Sequence, residues 1–249
     1  MRVAILGAAG KLGRHLVQSA GAHGHEVTAA VRDPDGFRRS LAPDDGTSVR
    51  VAPFDALDSA TLDAVLAGQD AVISAVGTVG DGQGFVEVFD RIVTGAERVL
   101  GDRRRVWMVA GAAILDVPHT QRIGLDLPFV PQIYQPHLAN WRRLQRSQLD
   151  WALMCPGPMV MTGGAVAAAE LAVSIDCLPY AVGGWARYAP PIALSLMMKR
   201  MLPMTKVPYR AVADVIMGRL EPGDAVSRHR VGVAWSTPAR TGAPSGSAR

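Results

Sequence analysis

Cysteine is scarce in this sequence, and long apolar runs are absent. Two cysteines among 249 residues, Cys155 and Cys177, cannot build a disulfide framework, so we expect a reducing, cytoplasmic location. No apolar stretch reaches the ~18 residues that a membrane span needs. Residues 1–6 run directly into a glycine-rich turn, which leaves no room for a signal peptide. We therefore expect neither a secreted disulfide scaffold nor a membrane partner.

Signatures of several functional classes are also missing. The six histidines never stand at metal-ligand spacing except for His23 and His25, which fall in a turn, so we expect no metal site. The lack of a G-x-S-x-G sequence excludes the nucleophile elbow of an α/β-hydrolase. The net charge of +4 comes from four arginines after Asp224, and the preceding chain is balanced. We therefore expect no nucleic-acid partner.

What is present is an alternation of apolar strands and amphipathic helices. Hydrophobic residues make up 49% and charged residues 19%, which is typical of a folded chain. Helical spacing predicts helices after the first strand and over 59–68, 85–99 and 139–147. Strands are predicted over 2–6, 25–32, 49–54, 71–76, 106–110, 151–155 and 230–235. This order predicts the α/β class, with a doubly wound parallel sheet, the Rossmann fold.

Residues 160–206 interrupt this alternation with paired glycines, paired prolines and several methionines. They are predicted to be an inserted helical and loop region after the sixth strand, near the ligand-binding edge of the sheet. We leave open whether this region is a subdomain with its own core or a substrate lid, and we prefer both to a membrane contact. Residues 1–235 are expected to form one domain, and residues 236–249 a disordered tail.

A glycine-rich turn, GAAGKLG at 7–13, joins the first strand to the first helix. Its G-x-x-G-x-x-G spacing lets the backbone approach a pyrophosphate, which the helix N-terminus also attracts. A glycine turn without a ligand is the alternative, but the preceding strand and the following helix supply the context that the motif requires. We therefore assign NAD(P) binding to the domain and cofactor contacts to Gly7, Ala9, Gly10, Lys11, Leu12 and Gly13.

The end of the second strand indicates which dinucleotide binds. NAD sites place an acidic residue there for the ribose 2′-hydroxyl, whereas this chain has Arg32 followed by Asp33. The guanidinium of Arg32 suits a 2′-phosphate, and Lys11 adds a second cation. Asp33 is the competing ribose ligand, but it lies one residue further on and precedes Pro34. We expect NADP(H) as the cofactor.

Further strand ends carry candidate cofactor contacts. Asp55 follows the third strand, where it is either an acceptor for the adenine amino group or a turn residue. Small residues after the fourth and fifth strands leave space for a cofactor that crosses the sheet edge. These contacts are assigned to Ala75, Val76, Gly77 and Gly111.

Together these segments resemble the atypical short-chain dehydrogenase/reductases, in the NAD(P)H-binding, NmrA-like branch that includes biliverdin reductase B-type flavin reductases. Besides the glycine turn, the resemblance is carried by GHEVTAAVRDP at 24–34, AVISAVG at 71–77, LDWALMCPGPMV at 149–160, VPYRAVADVIMGRLE at 207–221 and HRVGVA at 229–234. It implies a Rossmann fold that binds NAD(P)H. It also implies that Pro156 and Gly157 border the nicotinamide.

The chain departs from that family at the catalytic positions. The family uses a serine after the fifth strand and a Tyr-x-x-x-Lys pair on the next helix, but residues 109–114 contain no hydroxyl group. The family's spacing places Ile133 at the tyrosine position and His137 at the lysine position, with Tyr134 one residue away. We take Tyr134 and His137 as candidate proton donors. The alternative is that cofactor placement and solvent protons suffice.

The predicted function is NADPH-dependent hydride transfer to a small, mostly apolar organic acceptor, such as a carbonyl compound, an enone, a quinone or a flavin-like compound. Two alternatives remain, namely an NmrA-like nucleotide-sensing regulator and a non-redox isomerase or cyclase on the same scaffold. A small-molecule substrate is the expected partner, and a homodimer is left open.

Overall fold

The computed structural model describes residues 1–41, 49–77, 82–101, 104–161 and 171–236. The strands are β1 (Arg2–Leu6), β2 (Glu26–Val31), β3 (Val49–Pro53), β4 (Ala71–Ser74), β5 (Arg105–Val109), β6 (Asp150–Pro156), β7 (Met159–Val160), β8 (Leu171–Ile175), β9 (Val207–Pro208) and β10 (His229–Trp235). The helices are α1 (Lys11–Ala22), α2 (Pro34–Ser40), α3 (Ser59–Leu66), α4 (Gly82–Val99), α5 (Gln135–Gln145), α6 (Pro191–Met201) and α7 (Tyr209–Met217).

Eight of the strands in the described part of the chain form the main sheet, in the order β3-β2-β1-β4-β5-β6-β10-β8. Neighbouring strands are parallel, except that β8 runs antiparallel to β10. The chain leaves β1 toward β2 on one side and returns to β4 on the other, so the strand order reverses at β1. The predicted doubly wound Rossmann fold is therefore confirmed, and ligands of such sheets bind beyond the carboxyl ends of the strands at this reversal.

An apolar core covers each face of the sheet. On one face, Leu62, Phe89 and Leu144 bring α3, α4 and α5 against the strands. On the other face, Leu16 of α1 and Val212 of α7 pack against the strands. β1 and β4 are almost wholly buried because helices cover both sides, which explains their nearly continuous apolar sequences.

The region after β6 differs in part from the predicted insertion. β8 lies within it, but pairs with β10 and so extends the main sheet. β7 and β9 pair with each other in a second, two-stranded sheet. Leu178 and Leu194 belong to the same core cluster as the residues of α4. The described part of the region therefore packs on the main core, which argues against a subdomain with a core of its own.

Two helices also differ from the sequence-based prediction, one in its existence and one in its start. The patterns do not predict α2, although Asp33 caps it and Pro34 occupies its first turn. α5 begins at Gln135 rather than at residue 139, because Pro136 fits the first helical turn. Apart from Ser236, the predicted disordered tail lies outside the described residues.

Across the described ranges, we find no helix that is both long and apolar enough to cross a membrane.

Candidate active site

Five neighbouring strands bring the predicted cofactor residues to one edge of the sheet. Arg32 follows β2, Gly7 follows β1, residues 75–77 follow β4, Gly111 lies beyond β5, and Pro156 ends β6 with Gly157 after it. Strands lie ~4.8 Å apart, so this row extends over roughly 19 Å. The row can accommodate an extended dinucleotide with the Arg32 end far from the Gly111 end.

The glycine turn is held between β2 and β4. Gly7 has a φ of 77°, and the backbone N–H groups of Gly7 and Ala8 both donate to the Ala30 carbonyl, at 3.0 and 3.2 Å. A Cβ atom added at Gly7 would lie 3.2 Å from the backbone nitrogen of Val76. A side chain at Gly7 would therefore meet both an unfavourable backbone conformation and the end of β4.

Gly13 has a different role within the same turn. A Cβ atom there would lie 2.3 Å from the Gly7 carbonyl oxygen, so this glycine lets α1 pack closely against the turn. Leu12 points into the core, which leaves only its backbone for a ligand. Ala9, Gly10 and Lys11 are exposed, and they form the accessible part of the turn.

No side chain of the described residues caps the N-terminus of α1. Its N-cap residue is Gly10, which has no side chain to accept from the first-turn amides. In contrast, Asp33 accepts from the Gly36 amide at 2.9 Å, and Asp58 accepts from the Ala60 amide at 3.0 Å, at the starts of α2 and α3. The free amides and positive dipole end of α1 form a site for an anionic group such as a pyrophosphate.

Arg32 and Lys11 are exposed beside this turn, and neither has an ion-pair partner within the described part of the chain. Asp33 is already engaged as the cap of α2. A third cation, Arg14, was not identified from the sequence. Its Nε donates to the Ala9 carbonyl at 3.1 Å, and its guanidinium lies 5.4 Å from the centre of the Phe37 ring. Arg14 thus ties the glycine turn to α2.

Three other predicted cofactor residues already make contacts within the protein. Asp55 accepts from the Leu57 amide at 2.9 Å, in the manner of a turn residue, and its contact with adenine stays a prediction. Pro156 is buried within β6. A Cβ atom added at Gly157 would lie 2.5 Å from the Thr205 carbonyl oxygen, so Gly157 permits the close approach of the segment after α6.

Tyr134 and His137 meet at the far end of the row. Their rings stack with centroids 6.0 Å apart, and the His137 ring also meets the Phe85 ring edge-on at 5.2 Å. A Cβ atom added at Gly111 would lie 3.6 Å from His137 Nε2 and 3.6 Å from Tyr134 Cδ1. The structure therefore brings both candidate proton donors to the carboxyl side of β5. Phe85 was not predicted as a neighbour.

Burial lowers the pKa of His137 below its ordinary value. Its Nδ1 is buried without a hydrogen-bond partner among the described residues, while its Nε2 faces Gly111. The imidazole is consequently neutral near pH 7, and it is better suited to accept or orient a proton than to supply one. Cys155 is buried, and burial raises the pKa of its thiol, as expected for an unreactive cysteine.

A Rossmann sheet with an uncapped, glycine-rich turn at the carboxyl end of β1 defines a dinucleotide-binding protein. Residues 7–169 match the NAD(P)H-binding family, and the chain belongs to that family. This result and the fold confirm the resemblance to atypical short-chain dehydrogenase/reductases. The NmrA-like branch, the choice between NAD and NADP, and the cytoplasmic location stay predictions.

One relative, the uncharacterized protein YwnB of Bacillus subtilis (strain 168), is 27% identical over 162 residues, which covers 63% of this chain and 71% of that protein. A candidate NADH-flavin reductase from Streptococcus pneumoniae TIGR4 has a TM-score of 0.68 at 20% identity, covering 94% of this chain and 99% of that chain. A short-chain dehydrogenase/reductase from Veillonella parvula DSM 2008 in complex with NADP has a TM-score of 0.66 at 17% identity, covering 95% of each chain. At these identities the two structures show the fold.

Proposed function

We propose that this protein is an NADPH-dependent oxidoreductase that reduces a small, mostly apolar organic acceptor. One observation carries the proposal: a single sheet edge has an uncapped glycine turn after β1 and, two strands away, the Tyr134–His137 pair beyond β5. A dinucleotide anchored at the turn can extend along the row of strand ends toward that pair. When bound, the nicotinamide supplies a hydride.

The charges near the turn favour NADPH over NADH. Arg32 is an exposed cation without an ion-pair partner in the described ranges, and a guanidinium can hold a 2′-phosphate with two hydrogen bonds. The acidic alternative, Asp33, already accepts a hydrogen bond from α2. Arg14 keeps α2 beside the turn, so Arg32 stays close to the anion-binding amides of α1.

The far end of the row favours Tyr134 as the proton donor. Burial lowers the pKa of the partly buried His137, which makes its neutral ring the poorer proton donor of the pair. The stacked His137 ring orients the phenol, and Phe85 gives this corner an apolar wall. A carbonyl compound, an enone, a quinone or a flavin-like compound suits such a wall and needs one proton beside the hydride.

Two measurements test the proposal. Titration calorimetry should show tighter binding of NADPH than of NADH. NADPH fluorescence should then decrease with time in the presence of at least one acceptor from a panel of quinones, flavins and enones, and the Gly7→Val variant should show no decrease. Failure to bind either dinucleotide would refute the proposal. Tight binding without oxidation by any acceptor would instead favour a nucleotide sensor or a non-redox isomerase.

A further inference from the structure

An exposed surface on the segment before α7 combines apolar and basic side chains. Two of its residues lie in the 3-10 turn Gly184–Tyr188, and four lie on α6. The four apolar side chains are each more than half exposed, and the two basic ones are also exposed. We call it the apolar-basic surface, and it consists of Trp185, Tyr188, Ile192, Leu196, Lys199 and Arg200.

α6 presents its four residues of this surface on one face and is held to the protein by another. Ile192, Leu196 and Lys199 follow the i, i+4, i+7 spacing of a single helical face, and Arg200 lies beside them. Leu194 points to the main core. Ser195 Oγ donates to the Pro128 carbonyl at 2.5 Å. The side chains of the exposed face are therefore accessible while α6 stays packed on the protein through its buried face.

The charge of this segment has one sign. Along the sequence, the nearest acidic residues before and after the apolar-basic surface are Asp176 and Asp214. The 177–213 stretch between them contains five basic residues and no acidic one. Lys199 and Arg200 have no carboxylate partner among the residues described. Arg187 stacks over the Tyr188 ring at 4.6 Å rather than pairing with an acid. The segment that carries these apolar side chains thus has a net positive charge.

We propose that the apolar-basic surface binds the surface of an anionic lipid bilayer, without crossing it. Tryptophan and tyrosine favour the boundary between headgroups and acyl chains, and lysine and arginine are attracted to anionic headgroups. A second copy of this chain is a poorer occupant, because a two-fold contact would place the same basic residues against each other. The sequence-based expectation of no membrane partner rested on the lack of a spanning segment, and for residues 160–206 it ranked a membrane contact below a subdomain or a lid. The exposed side chains of α6 and of the preceding turn lead us to reverse that ranking.

α6 and the turn after it contact both segments that flank the proposed active site. Pro128, which α6 contacts, belongs to the loop that leads to Tyr134. Thr205, which follows α6, packs against Gly157. The segment that carries the apolar-basic surface is thus packed against both flanks of the proposed active site, although bilayer binding itself is independent of the reductase activity.

Vesicle flotation of the full-length protein tests the proposal. The protein should float with phosphatidylcholine vesicles that contain phosphatidylglycerol, but not with pure phosphatidylcholine, and high salt should release it. Each lost positive charge should weaken binding about fivefold, so the Lys199→Glu/Arg200→Glu variant should lose at least about 25-fold. Trp185→Ser should also weaken binding. Brominated lipids should quench tryptophan fluorescence in the wild type, and this quenching should disappear in Trp185→Phe.

The matched control is Arg142→Glu/Arg146→Glu, which makes the same charge change at exposed positions at the end of α5. It should float like the wild type, and NADPH binding checks that every variant is folded. The proposal is overturned if anionic vesicles do not bind, if pure phosphatidylcholine binds equally well, or if the α5 control loses as much as the α6 variant. A dimer in sedimentation equilibrium that Lys199→Glu/Arg200→Glu dissociates would assign the surface to a second copy and overturn it as well.

Discussion

The two ends of the sheet edge are built in different ways. At the β1 end, the site consists of backbone, with a glycine at a positive φ and an uncapped helix start. At the β5 end, it consists of side chains, with Tyr134 and His137 supplied by a loop and the first turn of α5 and packed against Phe85 of α4. In the proposed function, the first end holds the pyrophosphate of the dinucleotide, and the second supplies the groups that act on the acceptor.

The largest expected effect is the loss of NADPH binding on a substitution in the glycine turn at the β1 end. Gly7→Val should abolish binding of NADPH, because the side chain meets the end of β4 and the residue must leave its positive φ. Gly24→Val is the matched control, since Gly24 has a φ of 73° but nothing within 4 Å of an added Cβ atom. Calorimetry should show unchanged affinity in the control. If Gly7→Val bound NADPH as tightly as the control does, the turn would not hold the cofactor.

At the β5 end, Tyr134→Phe should lower kcat by about 10²–10⁴-fold, the usual size of general acid catalysis. NADPH affinity should stay the same, because the lost hydroxyl group lies far from the glycine turn. His137→Ala should reduce kcat less than Tyr134→Phe does. If steady-state rates of both variants remain within a few-fold of the wild type, solvent supplies the proton and this pair only shapes the pocket.

A smaller effect is expected at Arg32. Arg32→Asp should weaken NADPH binding by about 10- to 100-fold, as expected for one lost charge-assisted contact of ~1.5–3 kcal/mol, and should spare NADH. Arg50→Asp is the matched control, because Arg50 lies on β3 beside Thr28, away from the carboxyl edge. The Kd values for both cofactors decide the question, and a parallel loss for NADPH and NADH would contradict the 2′-phosphate assignment.

The smallest expected effect concerns pH. Because burial lowers the pKa of His137 in the folded protein, the unfolded chain takes up a proton first as the pH falls below about 6.5. The wild type should therefore lose stability over this range, and His137→Leu should lose less. His119→Asn, at an exposed histidine, should follow the wild-type slope in urea unfolding. A steeper acid loss in His137→Leu would contradict the buried, neutral ring.

Features set by neighbours in the chain could be predicted, and those set by distant contacts could not. The glycine turn follows directly from its sequence and from the strand and helix around it. The helix α2 could also have been predicted, since Asp33 followed by Pro34 is a typical helix start. The strand β8 could not be predicted in this way, because its pairing partner β10 lies more than fifty residues further along the chain. The contact of His137 with Phe85 likewise depends on how α4 and α5 pack.

The late position of β10 also affects how the chain emerges during synthesis. β6 is complete at Pro156, but its neighbour β10 ends only at Trp235. Chains are synthesised at roughly 5–20 residues per second, so about 4–16 s pass between the completion of β6 and that of β10. One edge of β6 has no hydrogen-bonding partner during this time. During this interval β8 has been made but its partner has not, because among the described strands β8 pairs with β10 alone. The nascent protein thus carries two unpaired strand edges, which makes this interval its period of greatest exposure to aggregation.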